Sequence, residues 1–588
     1  MVTGYRIELR GNFPNNLPRS RNQTLFRARC TCATYSDWAT RLLDMPSLTA
    51  LITERLTQIT GVDPELRPAT KPQFGHYQSN VALRIANQKT ENPRQIAATI
   101  IQEVELSDIC EPLEIAGPGF INIRIKTAAL ITAANTLLQD PNAGIAKAAD
   151  PDRVVVDYSS PNVAKQMHVG HLRSTIIGDC FTRVLRELGH IVIPQNHIGD
   201  WGRQFGMLVE QVIAEQLDVS NLDLAQAEAL YKRANSHLAE SDEFAKRARE
   251  RVVALQAGDS ETKQIWQQLI DISLTGFNNT YRRMDILLTD DDLAGESQYN
   301  ADLPVVAADL ESRGIAVLDS GALVVFTPES DTPAIIRNSQ GGYGYTCTDL
   351  AAIRHRVEEL EATRLIYVVG APQTLHFNQV FTIARGAGYL PANTSAEHVG
   401  FGQVLGKDQK KFSTREGTAV TLNSLLDEAE AHASPEVALA AIKYADLSSG
   451  LHKDYVFDAE RMVATTGDTG PYLQYAHARI AGILRKAAAE KGEFSGVSVL
   501  AEPQEQNVAL LLTRFGEVVS GVGETLQPHR LCGYLYELAQ AFSVFYENCP
   551  VLRSESQVRA SRLGLCQATQ YVLAKGLYLL GITAPERM

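Results

Sequence analysis

Two histidines separated by a valine and a glycine, His168-Val169-Gly170-His171, with Lys165 three places ahead, are the residues of this chain best arranged for chemistry. Imidazoles donate hydrogen bonds to phosphate oxygens, and more strongly as negative charge builds up there. Gly170 carries no side chain, so a flat base or a ribose can approach the backbone closely. One histidine alone would be read as a helix cap or a solvated ring. The pair with its glycine and Lys165 points instead to a nucleotide site. A second group, FGQVLGKDQKKFSTREGT at 401–418, alternates Gly402, Gly406 and Gly417 with Lys407, Lys410, Lys411 and Arg415. By itself this is an exposed loop with ordinary surface lysines. Beside the histidines it is a mobile cationic loop facing phosphate. A third group is Tyr345-Thr346-Cys347-Thr348-Asp349. Asp349 can pair with a guanidinium in bidentate fashion while Tyr345 packs on its plane. Equally, Asp349 in the first turn of a helix can simply balance the helix dipole.

These groups need elements to hold them. Val154, Val155 and Val156 form a short β-branched run, and Ser159-Ser160-Pro161-Asn162 reads as a turn. After the histidines, Ile176, Ile177, Cys180, Phe181, Val184, Leu185 and Leu188 have the spacing of a helix buried along one face, and Gly189 suits its end. The histidines therefore stand where a strand passes to a helix N-terminus. In α/β sheets that is the usual ligand crevice, and it favours phosphate. Strands are also expected at Ile191-Val192-Ile193, Met284–Leu288, Ala322–Phe326 and Leu365–Val369. Alternating with helices, they imply a parallel sheet split by insertions. The stretch from about 213 to 275 is helical, charged and alanine-rich, and its charges read as a solvated face.

A chain of 588 residues calls for three or four domains. Its 45% hydrophobic and 21% charged residues are those of a globular protein, and no apolar run is long enough to span a bilayer. A net charge of −13 argues against coating nucleic acid through bulk charge, though not against gripping a folded RNA through local patches. The eight cysteines (Cys30, Cys32, Cys110, Cys180, Cys347, Cys532, Cys549, Cys566) include no CxxC pair, so no structural zinc is expected, and a reduced cytoplasm fits them best. Residues 1–44 are rich in arginine and poor in acids. A transit peptide, a disordered extension and translated sequence upstream of a start at Met45 all fit this bias, and the last is favoured because Met45-Pro46-Ser47 leads directly into a helix. Ala116-Gly117-Pro118-Gly119 is a turn feeding an alternating strand, Phe120–Ile125. Beyond about 430 the pattern is helical, with Leu531, Leu535, Leu538, Phe542 and Phe545 as a core-facing stripe.

The run SSPNVAKQMHVGHLRST resembles the HIGH signature of class I aminoacyl-tRNA synthetases, in the version found in arginyl-tRNA synthetases. Lys411-Phe412-Ser413-Thr414-Arg415 resembles the partner loop KMSKS. The resemblance departs at Thr414, where the loop usually has a lysine, and implies that Lys165 substitutes for it. Over 45–588 it implies an α/β fold: a Rossmann-type parallel-sheet catalytic domain at 150–430 with its helical insertion near 213–275, an α+β N-terminal appended domain at 45–140 touching the tRNA elbow, and an all-α C-terminal anticodon-binding bundle at 431–588. It implies Lys165, His168, His171 and Lys411 as catalytic residues. ATP would meet His168, Gly170, His171, Lys411 and Ser413, and arginine would meet Asp157, Asn162, Glu296, Tyr345, Asp349 and Gln373. ATP accompanied by Mg²⁺, L-arginine and tRNA(Arg) are the implied substrates. The implied protein is a monomer, and its tRNA binds before arginine is activated. A small-molecule nucleotidyltransferase also carries HxGH but has no use for the long helical C-terminal part. A non-catalytic tRNA-binding paralogue would not need Lys165, His168, His171 and Lys411 together.

Overall fold

The valine run, the turn and the helix around the histidines form where their residues dictate. In the computed structural model, which describes residues 47–412, 420–490 and 496–588, strand Arg153–Asp157 leads through an irregular segment into helix Val169–Glu187. Leu188 ends that helix and Gly189 follows at φ +89°, a left-handed conformation glycine adopts without strain. The strand is central in a four-stranded sheet ordered Ser395–Phe401, Arg364–Gly370, Arg153–Asp157, Ile191–Gln195. Every pairing in it is parallel. From Arg153–Asp157 the chain first adds a strand on one side and later two on the other. That reversal opens a crevice at the carboxyl ends of Arg153–Asp157 and Arg364–Gly370. Val154 and Val156 pack into one apolar cluster and Val155 into another, because both faces of the sheet are covered.

The spacing predicts that helix Val169–Glu187 is buried along one face. The structure buries it from Leu172 to Leu185 without a break. Its polar residues explain the difference. Arg173 pairs with Asp446 at 3.2 Å and Arg183 with Asp179 at 2.7 Å, and all of these side chains are buried. Asp446 lies on helix Pro435–Ser448, which packs against this face together with helices Phe515–Thr525 and Ser556–Leu579. Charges that look solvent-facing in the sequence are partners across a packed interface. Removing one member of such a pair would leave a buried charge uncompensated, at a cost of about 3–5 kcal/mol.

Two expected strands turn out differently. Met284–Leu288 is irregular chain after helix Ser260–Arg283. The Asp285 carbonyl accepts from Arg183 Nη2 at 2.9 Å and from Lys443 Nζ at 3.1 Å, and the Leu287 N–H donates to Asp179 at 2.8 Å. Buried side chains thus satisfy backbone groups that a sheet ladder would otherwise have to serve. Ala322–Thr327 is a strand, but it sits in a separate antiparallel sheet between Val317–Asp319 and Ser330–Arg337. The turns at Ser320-Gly321 and Pro328-Glu329 are short enough for hairpins, whereas parallel neighbours need long crossovers.

The helical insertion runs Arg203–Ala214, Leu224–Glu240, Asp242–Gln256 and Ser260–Arg283, wider than the sequence pattern indicates. It has its own apolar core around Phe205, Leu208, Leu230 and Leu269. Its charges are not all solvated: Glu210 is buried and held by Arg247 at 2.6 Å and Arg251 at 3.2 Å. In the N-terminal part, a four-stranded antiparallel sheet includes Phe120–Ile123. Asn122, a polar position of that alternating strand, is buried, and its Oδ1 is satisfied there by a hydrogen bond from Gln78 at 2.7 Å. In the C-terminal bundle Leu531, Leu535, Leu538, Phe542 and Phe545 are all buried. The extension at 1–44, Ser413, Thr414 and Arg415 lie outside the described residues. Among the described residues no helix is long and apolar enough to cross a membrane.

Candidate active site

His168 is the N-cap of helix Val169–Glu187. Its Nδ1 accepts the Gly170 N–H at 3.0 Å, and His171 Nδ1 accepts the His168 N–H at 3.1 Å. Both rings therefore cap the helix, and capping sets their chemistry. With Nδ1 accepting, the neutral ring carries its proton on Nε2 and presents a donor at its far end. Burial favours the neutral form of both. It lowers the His168 pKa, helped by the Lys165 charge, and brings that of His171 down to about 3, helped by His168. The ring centroids are 4.1 Å apart. A Cβ on residue 170 would lie 2.7 Å from His168 Cε1, so Gly170 first makes room for the His168 ring itself.

The segment ahead of the histidines is strained. Ser159, Ser160 and Ala164 have φ of 72°, 48° and 59°. Side-chain-bearing residues rarely adopt this conformation, and it persists where surrounding bonds enforce it. Here the Ser159 N–H donates to Ser174 Oγ at 2.9 Å, Ser160 N–H to Asn196 Oδ1 at 3.1 Å and Ala164 N–H to Ser273 Oγ at 2.9 Å.

His168, Gly170 and Lys411 line one cleft of about 270 Å³ at the crevice, together with Arg173, Gly370 and Phe412. His171 stands beside His168 but is not part of that wall. Lys411 is held by its bridge to Leu405, and strand Val404–Leu405 pairs in parallel with Tyr455–Val456. On the other side of residues 413–419 the chain is tied to the motif itself: Val169 N–H donates to the Val420 carbonyl at 3.0 Å and Leu422 N–H to that of Met167 at 2.9 Å. Lys165 does not itself line the cleft; its Nζ lies 4.2 Å from the Tyr231 ring centroid. Among the described residues no carboxylate lines the cleft.

A second, acidic region adjoins the same sheet edge. Asp349 lies beyond the first turn of helix Tyr345–Glu358, and that first turn contains no acid, so balancing the helix dipole does not account for its place. Its carboxylate accepts from His376 Nε2 at 2.5 Å. The Glu296 pKa is pushed up to about 8 by burial and by the nearby carboxylates of Asp200 and Asp349. Asp200 is fixed by the Ser297 N–H at 2.8 Å and its hydroxyl at 2.6 Å. Carboxylates gathered in this way suit a guanidinium or an ammonium. The Asp349 charge reaches Glu296, while Asn162 in the turn and Gln373, three residues after the cleft residue Gly370, are exposed. Tyr345, the first residue of the helix that carries Asp349, is 77% exposed. The Asp157 carboxylate is already engaged, by Arg356 Nη2 at 2.7 Å and the Ser160 hydroxyl at 3.1 Å. At the end of its strand it ties the turn to Arg356, because a buried guanidinium needs a buried partner.

Comparison with known proteins matches three family models along the chain. Residues 132–437 match the family model for the catalytic domain of class I (R) tRNA synthetases, residues 47–125 that for the arginyl tRNA synthetase N terminal domain, and residues 473–588 that for the DALR anticodon binding domain. The chain is 60% identical to an arginine–tRNA ligase of Cutibacterium acnes, over 92% of this chain and 100% of that protein. The chain belongs to the arginyl-tRNA synthetase family. An arginine–tRNA ligase of Thermobifida fusca is 46% identical over 90% of this chain and 95% of its own. Among solved structures, the Plasmodium falciparum arginyl-tRNA synthetase superposes with a TM-score of 0.79 at 29% identity, covering 92% of this chain and all of that one. The Thermus thermophilus arginyl-tRNA synthetase does so with 0.78 at 26%, over the same shares.

In this chain, sequence reasoning missed Arg173, His376 and Asp200. Arg173 lines the cleft and donates to the Leu451 and Lys453 carbonyls at 3.2 and 2.9 Å, joining the signature helix to the turn that precedes strand Tyr455–Val456. Its sequence signal was an arginine next to a buried leucine, which reads as helix surface. His376 and Asp200 act on Asp349 and Glu296 from other segments, and no local spacing reveals that.

Proposed function

We propose that this chain attaches L-arginine to tRNA(Arg) using ATP, through an arginyl-adenylate, with release of AMP and diphosphate. The observation that carries this reading is that strand Arg364–Gly370 ends on both groups: Gly370 lines the cleft with His168, Gly170 and Lys411, and the helix that follows, Thr374–Gly386, carries His376, the partner of Asp349. In the activation step the arginine carboxylate attacks the α-phosphorus of ATP and diphosphate leaves. Negative charge grows on the phosphorus oxygens and the leaving group, so fixed donors and cations lower the barrier, and no covalent protein intermediate is needed. The His168 Nε2–H donates to those oxygens, His171 supports it as the second neutral donor, and Lys411 and Lys165 supply positive charge. Ser413 belongs to the same loop. Mg²⁺ arrives on the ATP phosphates as part of the substrate. Asp349, oriented by His376, and Glu296 hold the guanidinium, with Tyr345, Asn162 and Gln373 completing the amino-acid site. A terminal ribose hydroxyl of the tRNA then attacks the adenylate carbonyl and AMP departs. Residues 45–140 meet the tRNA elbow and 431–588 the anticodon. The enzyme works as a monomer in the cytoplasm, a compartment that suits its buried free thiols. A charging assay with total tRNA and each amino acid in turn tests the reading: aminoacylation with arginine alone is expected, and charging with another amino acid, or none, overturns it.

Asp349→Asn keeps the shape but loses the charge-assisted pair, worth about 1.5–3 kcal/mol. Arginine affinity of the tRNA-bound enzyme should fall by about 10- to 100-fold while ATP affinity is kept. Unchanged arginine binding in calorimetry would remove Asp349 from the pocket.

The Glu296 carboxyl gives a pH signature. With a pKa of about 8 it is largely protonated in the free enzyme at neutral pH. A bound guanidinium favours the ionised form and lowers that pKa, so the complex holds fewer protons than the free enzyme. Arginine affinity therefore rises with pH up to about 8 and levels off above it. Calorimetry at pH 7 in buffers of different ionisation enthalpy should show proton release on arginine binding. Glu296→Gln should abolish that release, and a native-like release in this variant would assign the proton to another group.

A further inference from the structure

Lys165 is placed by the helical insertion, not by the sheet. Its neighbours Val163 and Ala164 are fully buried in the apolar core of the insertion, with Phe205, Leu208 and Leu230. The Ala164 N–H is tied to Ser273 of helix Ser260–Arg283. On the other side of Lys165, Gln166 Nε2 donates to Glu228 Oε2 at 2.9 Å. Glu228 also pairs with Lys232 one turn on, at 3.1 Å, which fixes its carboxylate on helix Leu224–Glu240. The next helical turn brings Tyr231 under the Lys165 ammonium, 4.2 Å from the ring centroid. The chain is thus held on both sides of the lysine, three residues ahead of His168, and the side chain rests on an aromatic face; its charge helps to lower the pKa of both His168 and His171.

We propose that Tyr231 is a positioning residue for adenylate formation: its ring holds the Lys165 ammonium beside the histidine pair, and Glu228, through Gln166, fixes the backbone from which the lysine reaches the phosphates. A ring face attracts an ammonium without neutralising it. The full charge therefore remains available to ATP, which an acid in the same place would not allow. A flexible four-carbon stem loses much rotamer freedom when it is ordered. Ordering it before the phosphates arrive leaves less to be lost as charge develops in the transition state. This gives the insertion a part in catalysis that its sequence pattern does not announce.

The inference rests on the reading of Lys165 as a phosphate-facing cation, and the test separates the two. Single-turnover arginine activation is measured on the full chain with tRNA(Arg) bound, over a range of ATP concentrations. Tyr231→Leu keeps apolar bulk and loses the π face; the activation rate should fall by about 10-fold with ATP affinity little changed. Tyr231→Phe keeps the face and should return the rate to native. In the Lys165→Ala background, Tyr231→Leu should have no further effect, because its partner is gone. An equal loss from Tyr231→Leu with and without Lys165, or a native rate in Tyr231→Leu alone, overturns the positioning role. A native rate in Lys165→Ala overturns the reading of Lys165 itself, and the inference with it.

Discussion

His168→Ala and His171→Ala should each slow arginine-dependent turnover of ATP by about 10²-fold or more, the usual effect of deleting a donor aimed at developing oxyanion charge. The structure separates this loss from a loss of fold. Each ring also receives a backbone N–H on Nδ1, so alanine removes a cap worth about 1 kcal/mol along with the Nε2 donor. His168→Asn divides the two roles. Its Oδ1 can accept the Gly170 N–H, but its short side chain places no donor where Nε2 stands. Thermal unfolding of this variant should be close to native while the single-turnover rate stays as low as in His168→Ala. A near-native rate in either alanine variant would exclude that ring from the nucleotide site. Because His171 is outside the cleft wall, its loss should act more on rate than on ATP affinity.

Lys165→Ala should depress the activation rate by about 10²-fold while weakening ATP binding far less, since the charge it answers appears mainly in the transition state. The expectation comes from Thr414, which stands where the loop resembling KMSKS usually has a lysine and cannot supply charge. Thr414→Lys should therefore recover part of the loss in the Lys165→Ala background and do little in the native enzyme. Arg415 and Lys411 offer a competing account in which the loop needs no help. Single-turnover rates of both single variants and the double variant decide between them. Strict additivity, with no rescue by the new lysine, would show that the two positions do not share one task.

The strand at Val154, the turn at Ser159–Asn162, the helix after the histidines and the stripe from Leu531 to Phe545 could all be read from the chain alone, because each rests on interactions within a few residues. The histidine pair with Lys165, and the cationic run around Lys411, were legible for the same reason. Other features were not. Arg173, Asp179 and Arg183 look like the wet side of an amphipathic helix, yet they are buried because helices beyond residue 430 return to cover them. Met284–Leu288 has the composition of a strand, but buried side chains take its backbone bonds. Asp349 meets His376, Asp157 meets Arg356 and Lys165 meets Tyr231 across long stretches of chain. Periodicity and capping report which face of an element is apolar and where it ends. Which charge a buried polar group will meet depends on where distant segments come back, and only the folded chain decides that.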